Sequence, residues 1–275
     1  VTSPTSQKRE PPSLNAAELA SFREISLRAA ESAGRVLMAA LGRAAVREKA
    51  PGDLVTEADH ASQSEIQSIL LGRFPEHQFW GEESESRPAN WESGFCWVID
   101  PLDGTKNFVH QLPSFSVSIA LLHCGVPIVG VVHDPWLQET YAAVRGRGAE
   151  LNGKPLVPSK CTQLRSALLV FSFPARVQAD TPELRRFNRV APRATLRRLG
   201  SAALNLCYVA SGRLDGYWAS TLNLWDIAAG MLIAEEAGAF ATHLEGRPLD
   251  WADPRFIATS TRELHEELFP LLQLD

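Results

Sequence analysis

The sequence predicts a mixed α+β and α/β protein: N-terminal helices and an antiparallel sheet, followed by a half in which strands and helices alternate around a mixed sheet. Three patterns carry this. An apolar stripe of helical period opens the chain. A block of β-branched and aromatic runs, punctuated by Gly, Pro and Asn-Gly, follows it. Beyond about residue 157, apolar strands alternate with helical segments.

Residues 1–13 are rich in Pro, Ser, Thr and charge, and are expected to form a flexible tail with little apolar surface to anchor it. From Asn15, Leu19, Phe22, Ile25, Ala29, Ala33, Val36, Leu37 and Ala40 share one helical stripe. "GDLVTEADHASQSEIQSILLGRFPEH" reads as a short extended piece and a second helix. Its buried side is marked by Ile66, Ile69 and Leu70, and it ends at Phe74-Pro75, because the residue before Pro is driven out of the helical region. "FCWVID", "SFSVSIALLHCG", "VPIVGVVHDP" and "ETYAAVRGRGAELNG" are successive antiparallel strands. A boundary near Val157 divides an N-terminal α+β half, 14–156, from a C-terminal α/β half, 157–275. In the second half "SALLVFSF" is a strand and "TPELRRFNRVA" a helix. "TLRRLGSAALNLCYVASGRLD" is a strand passing into a helix that stops at Gly212. "DGYWAS" is a strand, "LWDIAAGMLIAEEAG" a helix closed by Gly238, and "RFIATS" a last strand before a helix from Arg262.

With 45% hydrophobic residues in 275, the chain can build a large core, and its net charge of −5 gives no general attraction for nucleic acid or an anionic membrane. No apolar run approaches the ~20 residues of a membrane span, and the N-terminus has no apolar signal core, so a cytoplasmic setting is expected. Cys96, Cys124, Cys161 and Cys207 lack metal or redox spacing and read as reduced core thiols. His60, His77, His110, His123, His133, His243 and His265 show no zinc-site spacing and read as structural or exposed.

The chemistry concentrates in acidic spots at strand ends and helix starts. In "WVIDPLDGTKNF" an apolar strand delivers Asp100 to a turn stiffened by Pro101, with Asp103 and Gly104 following. Two such carboxylates repel unless a cation lies between them, and hard oxygen donors suit Mg²⁺ or Mn²⁺. "WGEES" sets Glu82 and Glu83 after a short apolar run. "TEAD" sets Glu57 and Asp59 before the second helix, and "WDIAAG" sets Asp226 at the start of an apolar one. Taken singly, each also reads as a turn, a helix cap or a solvated acidic loop.

Together, "DLVTEAD", "GEES", "DPLDGTKNF" and "WDIAAG", in this order, resemble the inositol monophosphatase family of Mg²⁺-dependent, lithium-sensitive phosphomonoesterases, from about residue 15 to the C-terminus. The resemblance implies a layered α-β-α-β-α sugar-phosphatase-type fold and a homodimer acting on a small phosphomonoester. It implies Glu82, Asp100, the Leu102 carbonyl, Asp103 and Asp226 as metal ligands, with Glu82 also helping to activate the attacking water. Asp59 and Thr105 would orient that water. The N–H groups of Gly104 and Thr105 would hold the phosphate, and Gly200, Ser201, Ala202, Ala219 and Asp226 would face the rest of the substrate. Attack by a metal-activated water on an inositol or related polyol or sugar phosphate is the implied reaction.

Departures leave room for other substrates on the same fold. Lys49 precedes Asp53 with one residue fewer than the Lys of many members. Lys106 after "DGT" resembles the 3′-phosphoadenosine 5′-phosphate phosphatases, and histidinol phosphate and fructose 1,6-bisphosphate are further alternatives. Ala219 stands seven residues before Asp226, where inositol phosphatases commonly carry a Glu that binds ring hydroxyls. The non-enzymatic alternative is RNA or protein binding through Arg185, Arg186, Arg189, Arg193, Arg197 and Arg198. Against it stand the acidic chain as a whole and the absence of interleaved aromatics.

Overall fold

The computed structural model describes residues 14–50, 53–174 and 177–274, so the expected tail over 1–13 lies outside the described residues, as does the side chain of Lys49. Asn15 starts α1 (Ala16–Ala40) with a capping box: its side chain accepts from the Ala17 and Glu18 N–H groups, and the Glu18 carboxylate accepts from the Asn15 N–H. The extended piece expected before the second helix is an antiparallel hairpin, β1 (Val46–Ala50) and β2 (Asp53–Thr56), which leads into α2 (Glu57–Arg73).

Seven strands then form one sheet in sequence order: β3 (Gln78–Gly81), β4 (Phe95–Asp103), β5 (Ser116–His123), β6 (Val126–Asp134), β7 (Glu139–Val144), β8 (Ala149–Leu151) and β9 (Lys154–Pro155). A single helical turn, α3 (Thr105–Val109), separates β4 from β5. The ladders are antiparallel except that between β3 and β4, which is parallel. The remaining elements are β10 (Leu168–Phe171), α4 (Pro182–Val190), β11 (Thr195–Arg197), α5 (Ala202–Ala210), β12 (Gly216–Ala219), α6 (Leu224–Ala237), β13 (Phe240–His243), β14 (Phe256–Thr259) and α7 (Arg262–Leu272). They make a second, mixed sheet in the order β11-β10-β12-β14-β13. Strand β13 is absent from the sequence reading, since four residues after a helix-ending Gly leave too short a pattern to separate from a turn.

Alternation along the strands builds the layers. One face of the seven-stranded sheet, with Trp97, Ile99, Ile119 and Val131, packs on Phe22, Ala29, Leu37, Ile66 and Leu70 of α1 and α2. Its other face, with Val98, Leu122 and Tyr141, packs on Leu204, Cys207, Ala229 and Leu232 of α5 and α6. Those two helices turn Leu206, Ile227 and Met231 to Val170, Tyr217, Ala219 and Phe256 of the second sheet. Its far face, with Leu169, Phe171, Trp218 and Ile257, is covered by Val190, Leu264 and Leu268 of α4 and α7. The order helix, sheet, helix, sheet, helix is the one expected.

All four cysteines are free, but only Cys96 and Cys207 are buried. Cys124 and Cys161 are half-buried, which corrects the reading of all four as core thiols. Cys124 sits in a β5–β6 turn with φ of 51°, so its burial is set by the turn. His77, His123, His133, His243 and His265 are buried, and His60 and His110 exposed. Burial pushes the imidazoles of His133 and His265 down to about 4, so both are held neutral in the core.

Candidate active site

Strand β4 does not stop at Asp100. It runs to Asp103 across an irregularity in which Asp100 faces Ser118 and Asp103 faces Ser116, so one extra residue bulges out around Pro101 and Leu102. Proline has no N–H to give the ladder, and the Leu102 N–H instead donates to Asp100 Oδ1 at 3.0 Å. The bulge brings both carboxylates toward the same strand end. Gly104 follows with φ of 92°, a left-handed conformation that leads into α3.

Glu82 comes next to this segment from β3. The parallel β3–β4 pairing ends at Gly81 opposite Ile99, and the Glu82 N–H makes one further bond to the Ile99 carbonyl, 3.0 Å. Asp226 arrives from the second half, on the first turn of α6. It is not the N-cap that the sequence offers as its structural role. Asn223 occupies that position, and Asp226, three residues on, accepts the Asn223 N–H at 2.6 Å.

The electrostatics show how tightly these groups share one field. Burial holds the Asp100 carboxyl well above the usual carboxylate range, and the charges of Glu82, Asp103 and Asp226 push it the same way. Asp226 is raised by burial and by Asp103 and Glu82, offset by the Asn223 N–H and by a hydrogen bond from Asp100. Asp103 is raised by burial against four hydrogen bonds. Among the described residues no three carboxylates, imidazoles or thiols already close into a metal cage. Cavities of about 310, 350 and 390 Å³ flank α1, and none is lined by Glu82, Asp100, Asp103 or Asp226.

Asp103 is tied to the second half. Its Oδ2 accepts from Ser201 Oγ at 2.5 Å and from the Ala203 N–H at 2.7 Å, and its Oδ1 accepts from the Ala202 N–H at 3.0 Å. The anion therefore sits on the N-terminus of α5, which brings Gly200, Ser201 and Ala202 against the strand that carries Asp100. Asn107, one turn beyond Gly104, secures the same approach through bonds from Nδ2 to the Ser114 and Leu199 carbonyls, 2.6 and 2.7 Å. No pattern in the sequence singles out Asn107, because its partners lie up to 92 residues away.

Asp59 serves as a cap as well: its Oδ2 accepts from the Thr56 N–H and hydroxyl at 2.8 and 2.6 Å. Its Oδ1 faces Thr105, whose hydroxyl donates to the Leu102 carbonyl at 3.1 Å and to Asp59 at 3.4 Å. Glu57, its neighbour in the sequence, points to solvent. Ala219 is 1% exposed and packs among the residues facing α6. Ser220 turns the other way, and its hydroxyl donates to Glu183 of α4 at 2.7 Å.

The arginine-rich segment is bonded largely within the protein. Arg186 and Arg189 donate to the carbonyls of Leu272 and Gln273 at the end of α7, Arg185 pairs with Asp180, and Arg198 lies over the Phe173 ring.

A model of the inositol monophosphatase family matches residues 18–274. The inositol-1-monophosphatase of Synechocystis sp. is 40% identical over 263 residues, which cover 94% of this chain and 90% of that protein. The Nus factor SuhB of Pseudomonas aeruginosa is 43% identical over 230 residues, covering 81% and 85%. The structure of inositol monophosphatase from Anabaena matches with a TM-score of 0.83 at 38% identity, over 93% of this chain and 96% of that one. Fold and relatives together define a phosphomonoesterase. The chain belongs to the inositol monophosphatase family.

Proposed function

We propose that this phosphatase hydrolyses polyol and sugar phosphomonoesters with Mg²⁺ held by Glu82, Asp100, the Leu102 carbonyl, Asp103 and Asp226. The observation that carries the reading is the shared field of four carboxylates from three separate segments, with Asp100 pushed up by burial and by each of the other three. Burying like charges together is unfavourable unless cations join them, and an all-oxygen donor set fits a hard divalent ion. When bound, such an ion supplies positive charge for the phosphate and lowers the pKa of water.

The chain's own groups do the rest. Asp59 Oδ1 and the Thr105 hydroxyl, joined through their hydrogen bond, orient the nucleophilic water, and Glu82 helps to activate it. Gly104 and Thr105 offer N–H groups to the phosphate, and the Ser201–Ala202 turn forms the wall on the leaving-group side. We further assign a cytoplasmic homodimer divided near Val157, inhibited by Li⁺, with the arginine segment serving the outer layer instead of nucleic acid.

Specificity follows from Ala219, which has no acceptor for a ring hydroxyl. The Ser220 hydroxyl is already engaged by Glu183 on the other side of the strand. A hydrogen bond to a charged group is worth about 1.5–3 kcal/mol, so inositol 1-phosphate should be weaker by about one to two orders of magnitude than at a Glu-bearing site. The enzyme is therefore expected to be permissive. The test compares kcat/KM for inositol 1-phosphate and glycerol 2-phosphate in wild type and Ala219→Glu. The variant should gain on the inositol substrate alone; an equal effect on both, or a wild type already selective for inositol, removes Ala219 from the account.

A further inference from the structure

The two acidic segments keep only a single backbone bond to each other where they matter. The β3–β4 ladder ends at Gly81 and Ile99, one last backbone bond runs from the Glu82 N–H to the Ile99 carbonyl, and beyond it the like charges of Glu82, Asp100 and Asp103 favour separation. What spans the gap is α2. Asp59, Ser62 and Gln63 stand at i, i+3 and i+4 and so share one helix face. The buried Ser62 hydroxyl donates to the Pro101 carbonyl at 2.8 Å, inside the bulge between Asp100 and Asp103. Gln63 Oε1 accepts the Glu83 N–H at 3.1 Å, directly after Glu82. Gly81 is packed so closely on Gln63 that a Cβ there would lie 2.0 Å from Oε1. The same helix thus touches both acidic segments while presenting Asp59 to Thr105.

Resting on the metal reading above, we propose that Ser62 and Gln63 are positioning residues: they fix the separation of Glu82 from the Asp100–Asp103 pair, so that the site meets the cation already set. They need not touch metal or substrate. Their role is that of the outer partners of metal ligands, whose loss typically weakens metal binding about 10–100-fold.

The test is calorimetric titration of Mg²⁺ into metal-free wild type, Ser62→Ala, Gln63→Ala and the double variant, with melting temperatures measured without metal. The expected result is a Mg²⁺ Kd raised about tenfold in each single variant and further in the double. Should the buried Ser62→Ala or the double variant not fold, the half-buried Gln63→Ala decides alone. A lowered melting temperature with unchanged Mg²⁺ affinity would make the contacts merely structural and overturn the proposal. A wild type that takes up no Mg²⁺ overturns the metal reading itself, and its own titration reports that failure before any variant is compared.

Discussion

Asp226→Asn should lose several orders of magnitude in kcat while melting, without metal, no lower than the wild type. Both halves of this result come from the same charges. The Asp226 carboxyl is raised well above its ordinary range by burial and by Asp103 and Glu82, so burying it opposes folding at neutral pH, whether it keeps its charge or takes up a proton. That penalty is absent below the ordinary carboxylate pKa, grows as pH rises from there toward the raised one, and levels off above it. Asn removes the charge, yet its side-chain oxygen can still accept the Asn223 N–H. Turnover collapses because the group whose burial opposes folding is the one proposed to hold the cation. Asp103→Asn should lose activity similarly but also some stability. Its two oxygens accept from Ser201, Ala202 and Ala203, and an amide at that position turns an NH₂ group against at least one of these donors. Each buried donor left without an acceptor costs about 1–3 kcal/mol. Thermal melts of the metal-free variants beside kcat separate the two effects; near-normal turnover in either variant would return that residue to a capping role.

Gly104→Ala should damage the site through the backbone. At φ of 92° an L side chain is strained, and the added Cβ would lie 2.8 Å from the Ser114 carbonyl oxygen and 3.3 Å from Phe115 Cα, which are backbone atoms that cannot swing away. The left-handed conformation alone costs about 1–2 kcal/mol. Relief requires moving the turn that joins Asp103 to Thr105. A shift of about 1 Å in a reacting geometry can cost about a hundredfold, so a lowered melting temperature is expected together with a kcat reduced by about that factor. A variant with wild-type melting and turnover would show that this turn has no part in phosphate binding.

What could be read in the sequence is what local chemistry dictates. The α1 stripe, the "WD" helix start and the Pro-stiffened "DPLDGT" segment each specify their conformation within a few residues. Four acidic motifs in a fixed order were enough to point to one face. Long-range partners were not legible. Nothing near Ser62 or Gln63 signals that they reach segments 39 and 20 residues away, although their spacing from Asp59 could have marked the shared face. The continuation of β4 through Asp103 was hidden because Pro101 ordinarily ends a central strand, and only pairing with Ser116 and Ser118 shows the bulge. Asp59 and Asp226 were each weighed as cap or site residue. The structure gives both a capping bond, and sets Asp59 beside Thr105 and Asp226 in the field of Asp103 and Glu82.

The most direct measurement is phosphate release from glycerol 2-phosphate by the full chain in excess EDTA, followed by titration with Mg²⁺. Release should stop under chelation and return as free Mg²⁺ rises, since four mutually repelling carboxylates have no catalytic use without a cation to join them. Undiminished release in excess chelator would contradict the account.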